Sequence, residues 1–124
     1  MDILREKELV SFYHYDARNF DFEREHGTPE TRINVQLHIL NTDEAANKSF
    51  VQINLSALIV LEKFVLSSAL SQVSQVNGRL IESQEDLSQE DMQELASPLF
   101  ELLKRLTYEI TEVALDEPGL KLEF

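Results

Sequence analysis

The sequence has no cysteine and no tryptophan, only three glycines and three prolines, and 11 basic residues against 23 acidic ones in 124 positions. Each scarcity removes a class of function. Without cysteine there is no thiol nucleophile, no disulfide, no iron–sulfur ligation and none of the common structural zinc sites. Gly27, Gly78 and Gly119 lie far apart, which excludes both the glycine-rich dinucleotide turn and the phosphate-cradling P-loop. The longest wholly apolar run is Ala57 to Leu61, far short of the roughly 20 residues that span a bilayer as a helix. Asp2, Arg5, Glu6, Lys7 and Glu8 interrupt the first residues, so no signal-peptide apolar stretch is present and a cytoplasmic protein is expected. A formal charge of −12 repels polyanions and argues against a nucleic-acid partner.

What remains is a chain of one-domain length, residues 1–124, with 43% hydrophobic residues to build a core. Its charge is segregated. Residues 1–47 carry ten acids and five bases, residues 48–80 one acid and three bases, and residues 81–124 twelve acids and three bases. A nearly neutral middle third between two acidic ones must be covered, or it is a contact surface.

That middle third is strand-like. Ile33, Val35, Leu37 and Ile39 alternate with Asn34, Gln36 and His38, the period-two pattern of a half-buried strand. After the polar connection Asn41 to Lys48, the residues Val51, Ile53, Leu55, Ala57, Ile59 and Leu61 alternate with Gln52, Asn54 and Ser56. From Ala57 onward both parities are apolar, so this strand is covered on both faces there. Upstream, Leu9 to Tyr15 and Asn19 to Glu23 read as a broken third strand, with Phe20 and Phe22 on one face and Asp21 and Glu23 on the other. Phe64 to Leu80 fits two patterns. Leu66, Leu70, Val73, Val76 and Leu80 make a helical stripe, while Phe64, Leu66, Ser68 and Leu70 suit a strand.

The last third reads as helix. Ser88 with Asp91 three residues on is a capping pattern, followed by Met92, Leu95 and Ala96. Ser97-Pro98 reads as the cap and first position of a second helix, whose stripe is Leu99, Leu102, Leu103, Leu106, Ile110 and Val113. Asp116 to Gly119 stop it, and Leu120, Leu122 and Phe124 alternate as a short extended segment. Strands first and helices last predict an α+β domain, with helices on one face of an antiparallel sheet.

Chemistry-bearing constellations are scarce. His14, His26 and His38 have no zinc-binding spacing, and a surface metal site would rest on His14, Asp16 and His38 alone. Carboxylate pairs such as Asp21 with Glu23 and Glu90 with Asp91 read as solvated faces in so acidic a chain. No G-x-S-x-G elbow is present. The expectation is a non-enzyme without cofactor or metal. The two long neutral strands exceed the usual 5 to 6 residues, and such strands aggregate unless an edge is paired, so a homo-oligomer is expected. Capture of another protein's extended segment is the alternative use of the same surface.

The layout resembles the SecB export-chaperone family: four antiparallel strands, a long return between the first two, then two C-terminal helices. The resemblance runs from about Phe12 to Phe124. It is carried by Ala96-Ser97-Pro98-Leu99-Phe100 through Val113, the Pro118-Gly119 stop, the ending Leu120-Lys121-Leu122-Glu123-Phe124, and Phe20-Asp21-Phe22-Glu23 at the end of the first strand. The sequence is more similar still to a small group of acidic bacterial proteins of unassigned function that share this fold. The resemblance implies that Phe64 to Leu80 is a strand. It further implies a dimer or tetramer that holds unfolded or export-bound polypeptides in apolar grooves, with neither nucleotide nor catalysis. The groove is assigned to Phe20, Phe22, Leu58 and Val60, and acidic docking of the export motor ATPase to Asp21 and Glu23. Two departures weaken the motor contact: Asn19 stands where a second family acid is expected, and the third position falls near Ser67. No aromatic occurs between Phe22 and Phe50, and Gly78 alone marks the place of the family's paired glycines. A structural or regulatory interaction protein, its strands used only for self-assembly, is the second expectation.

Overall fold

Alternation becomes strand wherever it runs longer than a few residues. In the computed structural model, which describes residues 1–124, the order is β1 (Asp2–Arg5), β2 (Leu9–Ala17), α1 (Phe20–His26), β3 (Arg32–Asp43), β4 (Lys48–Val60), β5 (Phe64–Asn77) and α2 (Gln89–Leu115). A 3-10 turn at Gln84–Asp86 precedes α2. All pairings are antiparallel, in the order β5-β4-β3, with β1 and β2 both on the free side of β5. Asp2 to Arg5 face Asn77 to Ser74, and Leu9 to Ala17 face Ser71 to Phe64. The two N-terminal strands therefore occupy one strand position, split at Glu6 to Glu8, and the expected four positions stand. Across the split, the Glu6 N–H donates to the Val73 carbonyl at 2.9 Å and the Gln72 side chain donates to the Glu6 carbonyl at 2.8 Å.

Phe64 to Asn77 is a strand, as the resemblance implied. It is central, paired on both sides, and it ends at the Asn77-Gly78 turn. Its serines suit this place, since a serine in a helix interior competes with the helix's own hydrogen bonds. One face of the sheet carries Val51, Ile53, Leu55, Leu66, Leu70 and Val76, all buried. α2 covers that face with Leu95, Leu99 and Leu103, each at 0–1% exposure, and complete burial of each contributes about 1.5–3 kcal/mol. Ser88 caps α2 in a reciprocal box with Asp91, as its spacing predicts.

Two expectations are corrected. Phe20 to Glu23 do not extend the first strand; they form the first turn of α1. The Asn19 carboxamide oxygen accepts from the Phe22 N–H at 3.0 Å, and the Gly27 N–H donates to the Glu23 carbonyl at 2.8 Å with Gly27 at φ 97°. Four residues of alternation are too few to outweigh two helix caps. Nor does Pro98 divide the last third into two helices, because α2 runs through it for 27 residues. Proline cannot donate to the carbonyl four residues back, which is that of Glu94. Arg5 of β1 supplies the missing donor: its guanidinium bonds the Glu94 carbonyl at 2.8 Å and the Leu95 carbonyl at 3.0 Å.

Beyond α2, Asp116 takes a left-handed conformation at φ 51° and the chain folds back along the helix. The Leu120 N–H donates to Thr111 Oγ1 at 2.7 Å, Leu122 packs against the core, and the Phe124 ring meets Phe100 edge-on at 5.4 Å.

Candidate peptide-binding groove

The flank of α2 beside its buried stripe is also apolar. Met92, Ala96 and Phe100 recur at intervals of four and so share one side of the helix. With Val35 of β3 and Leu87 of the preceding connection they line an open groove, and its rim is Gln84, Ser88, Gln89 and Gln93. No charged side chain lines it. The rim amides each offer a donor and an acceptor, and Met92 is the side chain most able to adapt its shape. β3 forms one edge of the sheet, so half of its backbone N–H and C=O groups have no strand partner.

The residues assigned from the sequence lie elsewhere. Leu58 and Phe22 come together in a second hollow, between α1 and the sheet face opposite α2, with Val65, Asp16 and Arg18. Phe20 is outside that hollow, 49% exposed, under the Arg18 guanidinium at 4.7 Å. Val60 closes the strand, its N–H donating to Thr31 Oγ1 at 3.0 Å. Asp21 is 88% exposed and pairs with Arg24 at 2.8 Å. Glu23 is engaged by Arg18 through two hydrogen bonds of 2.6 and 3.1 Å, which leaves its side chain 9% exposed. Arg18 also donates to the Leu61 carbonyl at 3.1 Å, so the pair fastens α1 to the β4–β5 turn. His14 and Asp16 on β2 and His38 on β3 stand at opposite edges of the sheet with two strands between them, roughly 14 Å across at one strand spacing per step, and the register sets His14 level with Arg32, so His38 lies about 20 Å further along β3. They do not converge.

Hydrogen bonds from Arg18, with its charge adding to them against burial, hold Glu23 below the usual carboxylate range. Those from Arg79 and from the Ser88 N–H do the same for Asp91. A depressed carboxylate contributes stability that is complete above its unfolded pKa and lost as pH falls through the folded one. Stability should therefore decline below the ordinary carboxylate range. Glu23→Gln and Asp91→Asn, each followed by urea midpoint from about pH 7 to about pH 3, should show a shallower acid decline than the parent. Superimposable profiles would show that neither pair matters.

Sequence reasoning missed the groove beside α2 because Met92 and Ala96 were absorbed into a core stripe and Phe100 fell outside it. The spacing of four among these three, flanked by Gln89 and Gln93, was the available signal.

No curated protein matches the chain by sequence. A solved protein of unknown function from Streptococcus agalactiae is 48% identical, with 100% of this chain and 98% of that one covered and a TM-score of 0.96. The Mycobacterium tuberculosis SecB-like chaperone Rv1957, solved in complex with a ChAD peptide from the Rv1956 HigA1 antitoxin, is similar at a TM-score of 0.54 and 12% identity, over 98% of this chain and 90% of that one. That likeness is one of fold. The family model described as "Protein of unknown function (DUF1149)" matches residues 1–124, and the chain belongs to that family, with a SecB-like fold.

Proposed function

We propose that this protein is a non-catalytic, oligomeric holdase that keeps extended or unfolded polypeptide segments in the groove between α2 and β3. The observation that carries this reading is an open apolar groove beside an unpaired strand edge. An extended client can place alternate side chains on Val35, Met92, Ala96 and Phe100, while its backbone bonds to the β3 edge and the glutamine rim. The fold it shares with a SecB-like chaperone solved in complex with a peptide supports the reading. A charge of −12 keeps loaded complexes soluble and favours basic clients. Phe22 and Leu58, with Phe20 and Val60 nearby, offer a second apolar contact on the opposite face. Glu23 is neutralised by Arg18, so of the two acids only Asp21 faces solvent, and we do not extend the reading to an export motor.

The oligomer has its own physical support. β2 is an edge strand that exposes Leu9, Val10, Phe12 and Tyr15 at 60, 39, 43 and 37%, and it contains neither lysine nor proline to guard the edge. Pairing with β2 of a second copy covers it. Light scattering should give the mass of a dimer or a multiple of it.

The reading is tested by the aggregation of a chemically denatured client, with and without stoichiometric protein. Protection is expected from the parent chain. Met92→Glu should lose most of it while keeping the parent's mass and helical circular dichroism. Equal protection by Met92→Glu would move the client site away from this groove, and no protection by the parent would end the proposal.

A further inference from the structure

The segment that follows α2 already fills part of the same flank. Met92, Ala96, Phe100, Lys104, Tyr108 and Thr111 form one stripe along the helix, at intervals of four, four, four, four and three. From Met92 to Phe100 the stripe is the open groove; from Phe100 to Thr111 it is covered by residues 119–124, which run antiparallel to α2. Phe124 ends at Phe100, the residue where the open half begins, with Lys104 Nζ 5.6 Å from its ring. The covering segment alternates Leu120, Leu122 and Phe124 with Lys121 and Glu123. Leu120 and Leu122 are half-buried, while Lys121 and Glu123 point to solvent. This is the arrangement an extended client would adopt.

The attachment is slight in main-chain terms. The Leu120 N–H is the one backbone group of residues 119–124 that makes a hydrogen bond, and it goes to a side chain. Close approach depends on Gly119, where a Cβ would run into the carbonyl oxygen and ring of Tyr108.

We infer that residues 119–124 cover the continuation of the client groove along α2 and are displaced when a client long enough to pass Phe100 binds. The segment's apolar side chains at alternate positions are the pattern an extended client would need along the same flank. The inference rests on the holdase reading and deepens it. Occupancy by the chain's own segment lowers apparent client affinity by the fraction of molecules that are closed.

Gly119→Val should lift the segment while leaving every side chain of the groove in place. The probe is a fluorescein-labelled peptide of residues 117–124, read by anisotropy. Gly119→Val is expected to bind it about ten-fold more tightly than the parent does, as release from a nine-tenths closed state gives. A second reading uses the otherwise intact chain. Because no tryptophan is present, Phe124→Trp supplies a single indole, excited apart from the three tyrosines. Phe124 is 54% exposed where it meets Phe100, and the emission should shift further to the red and become more quenchable by acrylamide when a tryptophan-free unfolded client is added. Unchanged indole emission from the Phe124→Trp chain at saturating client, or equal peptide binding by Gly119→Val and parent, would overturn the inference. Client protection by the parent with no displacement leaves the holdase reading standing and removes this one. Tighter peptide binding by Gly119→Val without client protection by either shows that the segment competes for the flank but ends the holdase reading, and with it displacement by a client. If Gly119→Val does not fold, the emission of the Phe124→Trp chain decides alone.

Discussion

Leu99→Ala is expected to lower the free energy of unfolding by about 2–5 kcal/mol, the range for truncating a leucine in a packed core. Leu99 is fully buried in the contact between α2 and the sheet, directly after Pro98. Arg5 there replaces the one ladder donor that Pro98 lacks and ties the helix to β1, so relaxation into the vacated space is restricted and the upper part of the range applies. Against a total of about 5–15 kcal/mol for a domain, the variant should unfold at a much lower urea concentration with an unchanged slope. A loss below about 1 kcal/mol would mean that α2 is not docked as described.

Ser49→Ala is the second large effect, and it is a matter of hydrogen bonds rather than volume. Ser49 is fully buried at the start of β4. Its hydroxyl donates to the Arg79 carbonyl at 2.9 Å and accepts from the Ile81 N–H at 2.7 Å. Alanine leaves both backbone groups without a partner, at about 1–3 kcal/mol for the buried Ile81 N–H and about 1 kcal/mol for the partly buried Arg79 carbonyl, so a loss of about 2–4 kcal/mol is expected. Ser49→Thr keeps the hydroxyl and should recover most of it. The same two bonds fix the connection that carries Gln84 and Leu87 to the groove, so amide exchange at Ile81 should accelerate in Ser49→Ala. Full stability in that variant would contradict this account of the connection.

How much of this could be read from the residues depends on the range of the interactions concerned. β3 and β4 were legible because alternation over seven or more residues is a strong period-two signal, and the Asn41 to Lys48 connection separates them. The Ser88 cap was legible because its partners lie within three residues. Phe64 to Leu80 was ambiguous from its own pattern, because what decides it is pairing with β4 on one side and with β1 and β2 on the other. The unbroken α2 was not legible at all. Pro98 is a sound local stop signal, and it is overridden by a guanidinium that lies 89 and 90 positions from the carbonyls it bonds. α1 was hidden by the short alternation of Phe20 to Glu23, although its caps at Asn19 and Gly27 were in plain view.

The site shows the same division. Of Phe20, Phe22, Leu58 and Val60, assigned together to a client groove, Phe22 and Leu58 line one hollow and Phe20 and Val60 lie outside it, while Glu23 is held by Arg18. The groove beside α2 needed the placement of β3 against Met92, Ala96 and Phe100, a tertiary fact with only a weak spacing signal in the helix. Acidic composition indicated a soluble surface but did not distinguish free carboxylates from those held by Arg18 and Arg79.

The central claim, that the groove takes up unfolded polypeptide, is tested most directly by titration calorimetry of a permanently unfolded chain into the purified protein at several temperatures. Saturable binding with a negative heat-capacity change, as burial of apolar surface requires, and weakened by Met92→Glu, is the predicted result. Absence of saturable heat at every temperature, or binding that Met92→Glu leaves intact, would contradict it.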